Sequence, residues 1–180
     1  MTDANPDRMG RGLGGYGVPG RLIAIAGAAR AFMEPVWADW HRDGGGNCPP
    51  IPSQSTCGRT ALFLQRALVE DGFCAHWANG IPRASEEGPQ LGPFGFFDGA
   101  SWRSHCWVKA EGWIVDITAD QFGAAPVIVV PVTDPRYGER TFDAASPEHI
   151  SRRIRQVDGL WPLWLAARAC LGNTNSVARQ

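Results

Sequence analysis

Three residues of types that act together in nucleophilic catalysis occur in the order Cys57, His105 and Asp116. A thiol is mostly protonated at pH 7, but the N–H groups at a helix start and a neighbouring imidazolium both favour the nucleophilic thiolate. The imidazole can then protonate the leaving group, and a carboxylate behind it fixes its tautomer and orientation. These residue types therefore predict catalysis by an activated cysteine.

A strong helix signal begins at Cys57. Residues 57–71 contain no proline and are largely apolar, which predicts a helix that ends at Gly72. Ser55 or Thr56 is placed to cap its first turn. Cys57 is thus expected at a helix N-terminus, where its backbone N–H can donate to a developing oxyanion.

A hairpin signal covers the other two residues. Residues 102–109 and 113–118 read as two strands that turn at Glu111-Gly112. Residues whose numbers sum to about 223 then face each other, so His105 and Asp116 are neighbours. Whether their side chains share a face depends on the register, because a shift of one residue reverses the faces.

The other predicted elements frame these two. Two further apolar segments predict strands, and the second has prolines at both ends, which favours an edge position. Pro35 is expected to kink or end the first helix. The segments are helices at 21–40, 147–156 and 160–170, strands at 73–77 and 126–132, and a long Gly/Pro-rich connection at 81–101 that suits a binding loop.

Three stretches resemble the transglutaminase-like superfamily of cysteine enzymes. One is Cys-x-x-x-Ala-x-x-Leu from Cys57 to Leu64, and another is Glu-Asp-Gly-Phe-Cys-Ala-His-Trp-Ala-Asn-Gly at 70–80. The third, at 105–118, is His-Cys-Trp-Val-Lys-Ala-Glu-Gly-Trp-Ile-Val-Asp-Ile-Thr. The resemblance covers about residues 55–122, a little over a third of the chain.

The resemblance implies a papain-like α+β fold, in which an N-terminal nucleophile helix packs on an antiparallel sheet that carries His and Asp. It implies acyl transfer through a thioester, without a metal or other cofactor. Cys57 matches the nucleophile, His105 the base and Asp116 the orienting acid. The chain departs from the family pattern at Gly58, where an aromatic residue usually follows the cysteine, and at Asp120, which offers a second carboxylate.

Further residues are candidates for oxyanion and substrate binding. Gln54 is the first choice for a second oxyanion donor, ahead of Asn47 and Trp102. Two residues that follow the orienting acid are expected to shape the site, and three tryptophans flank it and could stack on substrate or form sheet core. The candidates are Gln54, Trp102, Trp107, Trp113, Asp120 and Gln121.

Simpler interpretations of the same residues remain open. Cys57 could be a packing residue of an apolar helix, His105 a structural histidine and Asp116 a turn residue. A zinc site could use Cys74-x-His76 and His105-Cys106, but that spacing matches no structural zinc pattern. The basic run Arg152-Arg153-Ile-Arg155 is interpreted as the solvated face of a helix.

Composition limits the class of protein. A chain of 180 residues predicts a flexible tail over 1–20 followed by a single domain over 21–180. A formal net charge of −1 argues against nucleic-acid binding by bulk electrostatics. Five scattered cysteines, an odd number, and the lack of a signal peptide or spanning segment favour a cytoplasmic protein, with export by a signal-less route left open.

The function expected from these observations is a cysteine hydrolase that cleaves a peptide or carboxamide bond of a peptide or protein substrate. One alternative is a deamidating or transamidating enzyme that acts as an effector or toxin. Another is a noncatalytic binding module that uses the 81–101 connection to recognise a partner. Neither a membrane nor a nucleic acid is expected as a partner, and the oligomeric state is open.

Overall fold

A computed structural model of the chain describes residues 17–85, 87–140 and 147–177, and side chains of the last helix over 151–170. The elements are α1 (Val18–Asp43), α2 (Cys57–Glu70), β1 (Ala75–Gly80), β2 (Gly95–Phe97), β3 (Trp102–Arg103), β4 (His105–Ala110), β5 (Trp113–Asp116), a 3₁₀ turn (Ala119–Phe122), β6 (Ile128–Pro131), β7 (Tyr137–Gly138) and α3 (Pro147–Val177). The fold is α+β, with helices packed on antiparallel sheet.

The tail predicted over 1–20 is shorter than expected, because α1 already begins at Val18. Residues 1–16 of that predicted tail lie outside the described residues. No helix in the described ranges is both long and apolar enough to cross a membrane.

Helix α2 lies at the centre of the molecule. It packs on β4 and β1 with one face and on α1 and α3 with another, and Phe63, Leu64 and Leu68 are buried. The Phe63 ring lies 5.4 Å from the ring of Phe32 in α1 and 5.3 Å from that of Trp164 in α3, measured between centroids. The predicted helix over 57–71 is confirmed, since α2 spans Cys57–Glu70.

Two prolines lie inside helices that continue past them. Pro35 lies within α1, and Pro162 lies within α3, which is one helix where two short ones were predicted. Trp37 follows Pro35 in α1, and Trp161 and Trp164 lie on either side of Pro162 in α3. All three side chains are buried. Packing of these side chains against the core offsets the local cost of a proline.

The four-stranded sheet has the order β1-β4-β5-β6. The pairs Val108↔Val115, Lys109↔Ile114 and Ala110↔Trp113 give the predicted register. Glu111 and Gly112, with φ of 50° and 81°, form the two-residue turn between the strands. Strand β6 pairs only with β5 within this sheet, which confirms the edge position predicted from its prolines.

The segment predicted as a long connection contains a strand. Strand β2 lies between β3 and β7 in a second, three-stranded antiparallel sheet. Gly95 in β2 has a φ of 103°, and a Cβ there would collide with the carbonyl of Arg103. This small sheet covers the face of the larger sheet on which His105 lies.

Candidate active site

His105 and Asp116 share one face of the sheet. Continued from Val108↔Val115, the register places His105 opposite Thr118. Asp116 is two residues from Thr118 along the chain, and residues two apart on a strand point to the same face, so Asp116 points the same way as His105. Nε2 of His105 lies 2.6 Å from Oδ2 of Asp116, and both side chains are buried. The side chains of His105 and Asp116 therefore share a face, which the sequence alone left open.

The Asp116 carboxylate accepts hydrogen bonds at both oxygens. Oδ1 accepts from the backbone N–H of Thr118 at 2.8 Å and from its hydroxyl at 3.1 Å. Oδ2 accepts from His105 and from the hydroxyl of Tyr137 at 3.0 Å. Burial raises the pKa of Asp116, but the charge of His105 and these hydrogen bonds lower it by more. The group is therefore a carboxylate at neutral pH.

The His105 ring is held by aromatic side chains. Phe122 and Phe96 contact it edge to face, with centroids 5.1 and 5.8 Å away, and Trp107 stacks on it at 6.2 Å. Burial lowers the pKa of His105, but Asp116 and then Cys57 outweigh it and raise the pKa to about 10. An imidazolium is therefore stable in this buried position.

Cys57 is the first residue of α2 and is partly exposed. The N-cap residue is Thr56, one of the two residues predicted for that position. Its hydroxyl donates to the carbonyl of Ser53 at 2.7 Å and accepts from the hydroxyl of Thr60 at 3.3 Å, and it makes no capping bond to a backbone N–H of the helix. The first backbone N–H groups of α2 thus have no side-chain cap and remain able to bind an anion beside the sulfur.

The thiol of Cys106 and the ring of His105 both act on Cys57. Hydrogen bonding with the Cys106 thiol lowers the pKa of Cys57 most, burial opposes this, and His105 lowers it further, so it lies well below its ordinary value. The same contact raises the pKa of Cys106. Of the two thiols, Cys57 is therefore the one that ionises more readily.

The second nitrogen of the imidazole is available for proton transfer. Nδ1 of His105 is buried and makes no hydrogen bond to any described residue, while Nε2 bonds to Asp116. Cys57 and His105 influence each other's pKa although no formed hydrogen bond joins them. Such looser geometry is common in sites without bound substrate.

Cys57 and His105 open onto one cavity of about 590 Å³. Its walls come from the end of α1, the first turn of α2, the end of β1, the start of β4, and α3. Lining side chains include Trp40, Asp43, Cys57, Arg59, Asn79, Ser104, His105, Cys106, Arg152, Arg153 and Gln156. The partly exposed Cys57 is therefore accessible to a small ligand or an extended segment, and the buried His105 ring lies in the wall beside it.

Three predicted substrate-binding residues lie elsewhere. Gln54 is exposed and does not line the cavity. Trp102, in β3, packs on Phe97 with centroids 5.4 Å apart. Trp107 is buried behind the His105 ring and forms core. The structure thus gives Trp107 a packing position, and neither Gln54 nor Trp102 lines the cavity that contains Cys57.

Asp120 and Gln121 support the loop before Cys57. Oδ2 of Asp120 pairs with Arg30 of α1 at 2.7 Å, and Oδ1 accepts from the hydroxyl of Ser53 at 2.6 Å. Gln121 accepts from the backbone N–H of Ser55 at 3.3 Å. The second carboxylate is therefore engaged with α1 and the loop, and Asp116 alone of the two contacts His105.

Several site residues were missed by sequence reasoning. Tyr137 lies in the two-residue strand β7, which has no recognisable pattern. Asn79 lines the cavity and is buried, and its Oδ1 has no hydrogen-bond partner among the described residues. Arg152 and Arg153 also line the cavity; Arg152 and Arg155 are exposed, as the prediction of a solvated helix face implies, and Arg153 is half-buried. Asn79 pairs with Cys106 in the neighbouring strand, but β1 and β4 are joined by a long connection, so no hairpin register marks this pair in the sequence.

The two cysteine–histidine pairs considered for zinc are at opposite ends of their strands. His105 pairs with Gly80, whereas His76 pairs with Lys109, four residues further along β4. At the rise of a β-strand this separation is about 13 Å. One metal ion cannot be ligated by both pairs.

Comparisons of the chain with protein-family models, with curated proteins and with solved structures give no match.

Proposed function

We propose that the protein is a cysteine hydrolase of papain-like, transglutaminase-like type, which cleaves a peptide or carboxamide bond through a thioester on Cys57. The observation that carries the proposal is the placement of the His105 ring: its Nε2 contacts Asp116, and its Nδ1 makes no hydrogen bond to a described residue. The pKa of the nearby Cys57 thiol lies well below its ordinary value. An α-helix with the thiol at its start, on an antiparallel sheet bearing His and Asp, agrees with that fold type.

The first half-reaction forms the thioester. The Cys57 thiolate attacks the substrate carbonyl carbon, and the carbonyl π electrons move onto oxygen. His105 then donates its Nδ1 proton to the leaving nitrogen, the C–N bond breaks, and an amine or ammonia departs. Asp116 holds the ring through Nε2 and stabilises the imidazolium before the transfer.

The second half-reaction consumes the thioester. Neutral His105 takes a proton from water, whose oxygen attacks the thioester carbon. The C–S bond breaks, the carboxylic acid leaves, and the site returns to thiolate and imidazolium. An amine that entered in place of water would give transamidation with the same residues.

The oxyanion needs donors near the start of α2. The backbone N–H of Cys57 is one, and the helix dipole adds to it. The carboxamide of Asn79, which lines the cavity and has its Oδ1 unpartnered, can supply a second contact through its NH₂ group. Asn79 takes the role that the sequence offered to Gln54.

An activated ester tests the proposal without knowledge of the substrate. Incubation with 4-nitrophenyl acetate should acetylate Cys57, detected by intact mass and peptide mapping, and then release acetate. His105→Ala should lose this reaction, whereas Cys74→Ser, which alters an exposed cysteine, should retain it. Acetylation spread equally over the cysteines, or unchanged in His105→Ala, would contradict the proposal.

A further inference from the structure

Three arginine side chains line the cavity that contains the nucleophile. Arg59 belongs to the first turn of α2, and Arg152 and Arg153 belong to α3. None of the three forms an ion pair with a described residue, and Asp43 is the one carboxylate in the described part of the wall. The three guanidinium groups outnumber the Asp43 carboxylate and the Cys57 thiolate, so the cavity wall is positive although the chain as a whole carries a net charge of −1.

The positive charge lies directly beside Cys57. A Cβ on the next residue, Gly58, would stand 3.1 Å from Cζ of Arg153 and 3.3 Å from one of its terminal nitrogens. Glycine at this position thus admits the guanidinium to the first turn of α2. The Arg59 guanidinium is fixed by the Trp40 ring, 4.0 Å from its centroid.

The three cations also act on one another. Burial lowers the pKa of Arg59, the charges of Arg152 and Arg153 lower it further, and the charge of Cys57 opposes them without reversing the shift. Like charges held close together repel one another, and a further anion bound among the three arginines would relieve that repulsion. Guanidinium groups bind carboxylate and phosphate with paired hydrogen bonds, which makes such an anion the natural ligand.

We propose that the acyl donor carries an anionic group, a carboxylate or a phosphate, that binds among Arg59, Arg152 and Arg153 while its carbonyl lies at Cys57. The acyl-transfer part of this inference rests on the function proposed above, whereas the anion site does not. The group on the substrate would lie within a few bonds of the scissile carbonyl, because Arg153 contacts the residue that follows the nucleophile.

Two alkylating agents that differ in charge test the site. Iodoacetate and iodoacetamide are alike in size and react at the same carbon, and only iodoacetate is an anion. The ratio of their rates at Cys57 should fall roughly threefold to tenfold in each of Arg59→Gln, Arg152→Gln and Arg153→Gln, as expected for loss of one nearby charge. Arg155→Gln, on the same helix but outside the cavity wall, is the matched control and should keep the ratio.

Competing anions identify the group. Acetate and inorganic phosphate, compared at constant ionic strength, should protect Cys57 from iodoacetate, and the better protector shows which group the site prefers. Protection by neither, or equal ratios in the wild type, Arg153→Gln and Arg155→Gln, would overturn the anion site.

A pair of esters links the site to acyl transfer. Mono-4-nitrophenyl glutarate should acylate Cys57 faster than its neutral methyl ester, with 4-nitrophenolate leaving as the C–S bond forms. Loss of that preference in Arg153→Gln supports the inference, and equal rates of the two esters in the wild type would contradict it. Failure of both esters, with the iodoacetate preference intact, would refute the proposed acyl transfer and leave the anion site standing.

Discussion

Replacement of Asp116 by asparagine should lower the fraction of Cys57 that is a thiolate at neutral pH. The pKa of His105 is about 10, against an ordinary 6.5, so the folded protein stabilises the imidazolium by about 5 kcal/mol. Burial acts in the opposite direction, and the charge of Asp116 is the largest favourable influence. Without that charge, the pKa of His105 should fall below 7 and the imidazolium should be lost.

The expected size of the effect follows from the thiol. Loss of the imidazolium removes one of the two influences that lower the pKa of Cys57, and the hydrogen bond with Cys106 remains. A cysteine whose pKa returned fully to about 8.5 would be only about 3 % thiolate at pH 7, so about 30-fold is the upper bound on the fall in reactive fraction. Greater intrinsic nucleophilicity of the more basic thiolate offsets part of this. The rate of Cys57 alkylation by iodoacetamide at pH 7 should therefore fall by up to about 30-fold and recover at alkaline pH.

The assay is the pH dependence of that rate, followed at Cys57 by peptide mass spectrometry. Asp120→Asn is the control, because Asp120 pairs with Arg30 and does not touch His105. Circular dichroism establishes that both variants are folded. A wild-type pH profile in Asp116→Asn, or an equal shift in Asp120→Asn, would refute the assignment of Asp116 as the orienting acid.

Three further outcomes are expected. Tyr137→Phe removes a donor to the Asp116 carboxylate and should lower the free energy of unfolding by about 1.5–3 kcal/mol in urea titrations near pH 7; an unchanged value would contradict that contact. Cys57→Ala leaves the raised pKa of His105 uncompensated, so stability should fall by up to about 1.4 kcal/mol per unit as pH rises above 6.5. In the wild type, the free energy of unfolding should hardly change with pH in this range. The native thiolate of Cys57 and imidazolium of His105 together bind one proton, and so do the thiol and neutral imidazole of the unfolded chain. Equal slopes in the two proteins would argue against the ion pair. Trp164→Ala, which truncates a buried indole, should cost about 3–5 kcal/mol without changing the Cys57 alkylation rate of the folded protein, and a slowed rate would show coupling to the site.

The parts of the fold that depend on local sequence could be predicted. The helix after Cys57 follows from an apolar run between a capping residue and a glycine, and the β4–β5 register follows from a two-residue Glu111-Gly112 turn. The helices α1 and α3 could not be delimited, because tertiary packing carries them past Pro35 and Pro162. Strand β2 was missed because its pairing is with distant segments.

The site shows the same division. The Cys57, His105 and Asp116 side chains come from elements that the sequence placed correctly, and the structure resolves which carboxylate contacts the imidazole. Tyr137 and Arg153 reach the site from parts of the chain far from the motif residues, so no local pattern marks them. Trp107 follows the alternation of β4, and only the second sheet decides that it is buried.

Selective alkylation of Cys57 tests the central claim most directly. The wild type and His105→Ala are treated with limiting iodoacetamide at pH 6, and all five cysteines are quantified by peptide mapping. Cys57 should react first in the wild type although it is less exposed than Cys48, Cys74 and Cys170, and Cys74 is an internal control because its sulfur lies 3.4 Å from Nε2 of His76. The preference for Cys57 should disappear in His105→Ala. Faster labelling of the exposed cysteines in the wild type, or a preference that survives loss of His105, would contradict activation of Cys57 by this histidine.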